Sequence, residues 1–443
     1  MAEGVFAPGH LGELTQIVPF EMVDAVLEEC GAVQRRLRKL PARVVVYLLL
    51  AAALFEECGY LAVWARLTAG LGALPLPTVT ATALWHARAR LGARPLQALF
   101  DLLRGPASAI GTAGARWAGM LVVAIDGTYL DVADDLAIRA RLGKGSNQYA
   151  VSGYPQILLI ALVACGTRAV IDATFGARRD GGEPGLGRRL ARSLRAGMIV
   201  LLDRGFATNA FLEMVAGTQA AFLARLSASR KPPVLRRLPD GSFLSRIGSV
   251  EVRIIECQIT IATTAGRRTG VYRLATTLLD HRRYPAFDLV RLYHERWEIE
   301  SAYYALKKTM LGRRVLRART MAGIAQEIYA LLTAYQAIRI AITDATAAVP
   351  GADPDRASFS IALQAARDQV IQAAGVIADT IIDLAGAIGR AVLDHPMPRR
   401  RLRLSPRAVK RPKSRYAYKS LRIDRRTYKA TVSIDILTPA PDP

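Results

Sequence analysis

The chain has 443 residues, with 60 Lys and Arg against 37 Asp and Glu, a formal net charge of +23, and 51% hydrophobic residues. At roughly 100–200 residues per domain this length allows two to four domains, and the composition excludes wholesale disorder. The charge excess favours a polyanionic partner, either nucleic acid or an anionic membrane surface. The longest unbroken apolar run, Val44 to Phe55, has twelve residues bounded by Arg43 and Glu56. A membrane span needs about 20, so this run predicts a core helix and no membrane partner. No basic stretch leads into an apolar one at the N-terminus, so no secretory signal is expected. Cys30, Cys58, Cys165 and Cys257 are scattered, which fits a reducing cytoplasm and argues against a zinc cluster or disulfide framework.

Residues 11 to about 103 read as helices, with apolar residues at helical spacing through Phe20–Leu27, Val44–Phe55 and Leu61–Leu67. Pro75 and Pro77 then stop the chain and Thr78 or Thr80 can cap a short helix carrying His86, Arg88 and Arg90. Such a helix suits a major groove, and it equally suits a solvated arginine face. Residues 104 to 116 read as a linker. Beyond it, MLVVAIDGTYLDV, QILLIALVAC and MIVLLDRGF are β-rich runs, with a helix expected over Leu186–Leu194 before the third. More strands are expected between 227 and 285, a long helix from near Phe287 past Lys308, and further helices over 320–345 and 357–394. From Arg399 to Lys429 there are fourteen Lys and Arg against one acid, Asp424, with Tyr416, Tyr418 and Tyr428 interleaved. That texture suits phosphate contact plus base stacking, or a tail that only aids solubility.

Asp126 follows the strand run Leu121–Ile125, and Asp203 follows Met198–Leu202. Two strand-end carboxylates at one sheet edge form an acidic cluster where such sheets bind ligands, and hard divalent cations favour those oxygens. Taken singly, each is also an ordinary turn residue. Asp131, Asp134, Asp135 and Asp172 read as turn or surface acids. In LYHERWEIESAYYALKK, the residues Tyr293, Arg296, Glu300 and Lys307 lie within roughly 60° on one helix face. Glu295 and Glu298 point away from that face. One acid among cations fits a metal carboxylate beside phosphate-holding groups. It also fits an i, i+4 pair between Arg296 and Glu300 on a solvated helix.

The spacing Tyr-x₂-Arg-x₃-Glu-x₆-Lys at 293, 296, 300 and 307 resembles the signature of the insertion-sequence-4 family of bacterial DDE transposases. AIDGT at Asp126 and LLDRGF at Asp203 are similar to that family's first and second aspartate motifs. The likeness is collinear over about residues 10–395. It implies an α/β fold, an RNase H-like catalytic core over about 115–315 with a β-rich insertion at about 227–285. A helical N-terminal domain over 1–105, a helical C-terminal part over 316–395 and a basic tail over 396–443 would flank it. It implies that Asp126, Asp203 and Glu300 bind two Mg²⁺ ions, for which Mn²⁺ can substitute, and that Tyr293, Arg296 and Lys307 grip phosphates.

Some relatives cut through a DNA hairpin with a base flipped onto a strand Trp. The insertion segment here has no Trp, and Tyr272 is the nearest aromatic; it would stack a base or be a half-buried strand residue. Arg204 would salt-bridge or touch phosphate. The implied partners are double-stranded DNA, as transposon terminal inverted repeats and target, and a second copy of the chain in the synaptic complex. The implied location is the bacterial cytoplasm, at the nucleoid. DNA contacts are also expected from Arg88, Arg90, Arg399, Arg400, Arg401 and Arg403. The competing reading is a domesticated, non-catalytic DNA-binding protein or repressor derived from a transposase.

Overall fold

The computed structural model describes residues 9–34, 36, 38–71, 75–144, 153–263, 266–373, 386–398 and 430–438. The basic run carrying Arg399, Arg400, Arg401 and Arg403 lies outside the described residues.

Five helices come first: α1 (Phe20–Glu29), α2 (Ala42–Leu54), α3 (Tyr60–Thr68), α4 (Ala81–Leu91) and α5 (Arg94–Leu103). The twelve-residue apolar run makes up most of α2, which is buried along its length apart from Arg43. Its start is fixed by Pro41, whose extended backbone ends the preceding segment. Thr80 caps α4, its side chain accepting from the Ala83 N–H at 3.1 Å.

The strands are β1 (Arg116–Trp117), β2 (Met120–Asp131), β3 (Gln156–Ala164), β4 (Val170–Gly176), β5 (Met198–Leu202) and β6 (Ala221–Arg225). Then follow β7 (Arg236–Arg237), β8 (Phe243–Ile247), β9 (Val250–Thr263), β10 (Gly266–Thr276) and β11 (Ala430–Ile436). Among the described residues they form one sheet, ordered β4-β3-β2-β5-β6-β10-β9-β8-β7, with β1 on β2 and β11 on β9. The β2–β3 and β3–β4 pairs are antiparallel, whereas β2–β5 and β5–β6 are parallel. This is an α/β fold with the RNase H-like arrangement. The strands expected between 227 and 285 are β7 to β10, and they extend the same sheet through the β10–β6 pair.

Alternation along β2 sends Leu121, Val123 and Ile125 to one face and Val122 and Ala124 to the other. The first face is covered by α7 (Gly182–Gly187), a 3₁₀ turn at Arg188–Ser193 and α8 (Asn209–Gly217). The helix expected over Leu186–Leu194 is thus displaced and split, because the glycines of GGEPGLG favour a short irregular helix over a long one. On the other face lie α9 (Ala286–Tyr293), α10 (Trp297–Tyr304), α11 (Met321–Ala347), α12 (Phe359–Ile371) and α13 (Gly386–Asp394). The N-terminal helices share one continuous core with these, with α11 packed on both α2 and α5. The helix α6 (Leu136–Leu142) follows β2. Among the described residues no helix is long and apolar enough to cross a membrane.

Two expectations need correction. Asp126 does not end its strand: β2 runs on to Asp131 because its outer half stays paired with β3. Asp172 is not a surface acid. It is fully buried, where Arg104 at 2.5 Å, Arg192 at 2.8 Å and the Ser193 hydroxyl at 2.7 Å satisfy its carboxylate.

Candidate active site

The parallel register sets the site. Ile125 pairs with Leu202 at the end of the β2–β5 ladder, so Asp126 and Asp203 follow at equivalent positions on neighbouring strands. Adjacent strands are about 4.8 Å apart, which brings the two acids side by side. Both continue the alternation of Val122, Ala124, Ile199 and Leu201 toward the face that carries α9 and α10. Asp126 Oδ1 accepts from the Gly127 N–H at 2.8 Å, and Asp203 Oδ1 from the Gly205 N–H at 2.7 Å. Burial pushes the Asp126 carboxyl up to about 6. The Gly127 N–H and Arg296 oppose that shift, and the charges of Asp203 and Glu183 add to it.

The signature residues do not sit on one regular helix. After α9, His294–Arg296 is a 3₁₀ turn and, beyond α10, Ala305–Met310 is a π-helical turn. The tight turn falls between Tyr293 and Glu300, and the wide one carries Lys307; π turns recur at functional sites. The side chains nonetheless converge. Arg296 lies between two acids, with Nη1 3.3 Å from Asp126 Oδ2 and Nη2 3.5 Å from Glu300 Oε1. Burial works against its charge, but Tyr293 and the surrounding acids Asp126, Asp203 and Glu300 outweigh it. Lys307 donates to the Thr128 hydroxyl at 3.1 Å. The Tyr293 hydroxyl donates to the Leu202 carbonyl at 3.1 Å, which ties the helix to the end of β5, and burial pushes its pKa up to about 12.

Tyr303 is a residue that spacing alone did not reveal. Its hydroxyl accepts from the Ala161 N–H at 3.0 Å and donates to the Asp126 carbonyl at 2.6 Å. Those two groups face each other across the β2–β3 pair, so the ring locks the backbone of Asp126 from the helix side. Tyr303→Phe leaves two buried polar groups without this partner, and we expect it to lower unfolding free energy by about 1–3 kcal/mol in urea titration.

Two further residues were missed. Arg225 ends β6, and its guanidinium lies over the Tyr272 ring at 4.2 Å; its charge also reaches Tyr293. Its signal was its place at the end of a third parallel strand, visible only once strand order is known. Glu183, in α7, stands against Gly127 and Gly205: a methyl on Gly205 would lie 3.1 Å from Asp203 Oδ1 and 3.3 Å from Glu183 Oε2. Its signal was a lone acid in a glycine-rich stretch.

The remaining expected DNA contacts separate. Arg204 is exposed beside Asp203. Arg90 joins Arg36 and Arg38 around a groove of about 340 Å³. Arg88 instead turns into the helical core, 12% exposed, stacked 3.6 Å over Tyr60 and 3.6 Å from Glu327. Its i, i+2 offset from Arg90 puts it on another side of α4, which removes it from the DNA-facing set.

The donor set of Asp126, Asp203 and Glu300 is all hard oxygen, the chemistry a divalent cation favours, and Asp126 is desolvated beside other carboxylates. With Arg296 between Asp126 and Glu300, no three Asp, Glu, His or Cys side chains among the described residues converge on one metal position. The donors fit an ion in kind, and the guanidinium holds the outer two apart.

Two family descriptions match the chain: "Insertion element 4 transposase N-terminal" over residues 8–101, and "Transposase DDE domain" over residues 117–337. The chain is 26% identical over 403 residues to the transposase InsG for insertion sequence element IS4 of Escherichia coli (strain K12), covering 88% of this chain and 90% of that protein. Among solved structures, a piggyBac transposase synaptic complex with hairpin DNA superposes with a TM-score of 0.41 at 11% identity, covering 86% of this chain and 84% of that one. DDE transposases use divalent metal ions and act on DNA. From its two matching regions and its near full-length relative, the chain belongs to the insertion-sequence-4 family of DDE transposases, enzymes that cleave DNA and transfer strands.

Proposed function

We propose that Asp126, Asp203 and Glu300 are the metal carboxylates of a cut-and-paste reaction and hold two Mg²⁺ ions, with Mn²⁺ as a working substitute. The observation that carries this reading is the shared register of Asp126 and Asp203 beneath the helix that brings in Glu300. When bound, the ions supply activation of the attacking oxygen and neutralisation of charge on the leaving one. Water attacks the phosphorus at the element's end, and the departing 3′ oxygen takes up a proton to give a free 3′-OH. That hydroxyl then attacks a phosphorus of the opposite strand or of target DNA, and the displaced 3′ oxygen leaves as a hydroxyl.

The chain's own groups position the DNA. Arg296, paired here with Asp126 and Glu300, would be free to contact phosphate where bound cations neutralise those carboxylates. Lys307, Arg204 and Arg225 make further phosphate contacts. Tyr293 holds the signature helix against β5 while its ring edges the strand. Tyr272, backed by Arg225, offers a stacking face to a base at the cleaved end. Arg90, with Arg36 and Arg38, faces the terminal inverted repeat. Two copies act together in the synaptic complex, on inverted repeats and target DNA, in the cytoplasm at the nucleoid.

The test is cleavage of a labelled fragment spanning the element's end, with Mg²⁺, Mn²⁺, Ca²⁺ or EDTA. Site-specific nicking with Mg²⁺ and Mn²⁺ supports the reading. Specific binding without cleavage under every condition overturns it in favour of a non-catalytic DNA-binding derivative.

The tail adds an electrostatic term. Replacing Arg399, Arg400, Arg401 and Arg403 together by Ala should weaken end binding and flatten the plot of log affinity against log salt by about 0.9 per lost phosphate contact. A variant with the wild-type slope would reduce the tail to a solubilising segment.

A further inference from the structure

The helix α4 packs its inner face on α2 and α3, with Leu84, Ala87 and Leu91 buried and Arg88 turned to Tyr60 and Glu327. Its outer face carries Thr82, Trp85, His86, Ala89 and Arg90, all exposed and at the three- and four-residue spacing of one helix side. Trp85 is 58% exposed, so the core leaves most of this large ring in solvent. It meets the His86 ring edge-on, with centroids 4.8 Å apart, and the pair stands out from the helix as one ridge. No hydrogen bond among the described residues engages the Thr82 hydroxyl, the Trp85 indole N–H or the His86 ring.

The ridge borders a cationic groove. Arg90 lines it from α4, and Arg36 and Arg38 line it from the segment between α1 and α2. Over the stretches beside the groove, Glu28 to Lys39 and Arg90 to Arg94, the described exposed charges are Arg36, Arg38, Lys39, Arg90 and Arg94 against Glu28 and Glu29. No salt bridge among the described residues occupies Arg36, Arg38 or Arg90, whereas Arg43 and Arg88 are paired with Asp24 and Glu327. Guanidinium groups left open beside a groove suit the phosphates of a duplex, which fix position without reading sequence.

The ridge suits the bases. The 11 residues of α4 make a rod about 16 Å long, and a major groove about 12 Å wide admits an α-helix. Thr82, Trp85 and His86 lie in the first half of α4, the part from which a helix in that groove contacts base edges. The indole and the Thr82 methyl match the thymine methyl group, and His86 and the Thr82 hydroxyl can hydrogen-bond base edges.

We propose that the outer face of α4 reads the base sequence of the transposon end in the major groove through Thr82, Trp85 and His86, while Arg36, Arg38 and Arg90 hold the adjoining phosphates. This rests on the reading of the chain as a protein that binds transposon ends, and it is independent of metal and of cleavage.

The test uses the full-length protein in EDTA, with fluorescence anisotropy on two labelled duplexes, the element's own end and the same bases scrambled. Trp85→Ala and His86→Ala are each expected to lower the ratio of end affinity to scrambled affinity about tenfold. Scrambled affinity, its salt slope and the melting temperature should stay as in wild type. The triple variant Arg36→Ala, Arg38→Ala and Arg90→Ala is expected to weaken both duplexes alike and to flatten the salt slope. Methylation of guanine N7, which lies in the major groove, should interfere with wild-type binding of the end. Wild-type discrimination in both Trp85→Ala and His86→Ala overturns the assignment of α4 and leaves the transposase reading standing. Interference confined to adenine N3, in the minor groove, overturns it as well. Discrimination lost only together with a lower melting temperature in both variants marks a structural role and also overturns it. A wild-type protein that binds the two duplexes equally would sink end recognition itself, and the α4 proposal with it.

Discussion

Asp126→Ala, Asp203→Ala and Glu300→Ala are each expected to reduce strand cleavage at a transposon end by about 10³-fold or more, while binding of that end in EDTA stays within about threefold of wild type. A carboxylate that fixes a catalytic ion contributes several kcal/mol of charge stabilisation in the transition state, and each 1.4 kcal/mol is roughly tenfold in rate. End binding depends on cations and contact area away from these acids, and removing an acid reduces repulsion of phosphate. The folded state should tolerate the changes. Asp126 is desolvated, its carboxyl raised to about 6, so its loss removes an unfavourable charge, and Arg296 keeps Glu300 as a partner at 3.5 Å. Gel shift and cleavage on the same labelled fragment separate the two effects. Loss of binding in parallel with cleavage would mean that the acids shape the DNA surface and are not the metal carboxylates.

How much of this was legible before the structure depends on range. Local signals worked: the run from Val44 to Phe55 formed α2, Thr80 capped α4, and β5 ended at Leu202 just before Asp203. The segments that carry Asp126, Asp203 and Glu300 were legible because each lies in a spaced motif readable on its own element. What escaped reading depends on non-local pairing. That Asp126 lies within a long strand follows from β3, whose partner residues stand more than twenty positions away. Arg88 and Arg90 are indistinguishable as sequence, and only the packing of α11 turns Arg88 to Glu327 and leaves Arg90 facing the groove. Glu183, Arg225 and Tyr303 come from three elements that meet only after the sheet is assembled. The 3₁₀ and π turns around α10 have no simple periodic signature, so an ideal 3.6-residue helix was the natural expectation for the signature segment.

The same helix has a second, structural anchor. Glu298 points away from Glu300, as the wheel predicts, and it is 2% exposed. Its Oε2 accepts from Arg168 Nε at 2.6 Å, and Arg168 Nη2 reaches Asp355 at 2.9 Å. Arg168 sits in the β3–β4 turn with a left-handed backbone, φ 59°, a conformation that costs a side-chain-bearing residue energy unless its surroundings hold it. Its carbonyl accepts from the Tyr335 hydroxyl at 2.7 Å. One guanidinium therefore joins the sheet, the helix carrying Glu300 and the segment before α12.

Arg168→Ala removes the ion-pair partner of a buried carboxylate, and breaking such a pair by removing one partner costs about 3–5 kcal/mol. We expect a shift of that size in unfolding free energy by urea titration, together with reduced cleavage as α10 loosens over Asp126. The double variant Arg168→Met with Glu298→Leu should recover much of the stability, since it removes the buried carboxylate along with its partner and leaves only the more exposed Asp355 without Arg168. A single variant within about 1 kcal/mol of wild type would mean that Glu298 finds water or another partner, and that the Tyr293, Arg296, Tyr303 and Lys307 contacts fix the helix to the sheet without Arg168.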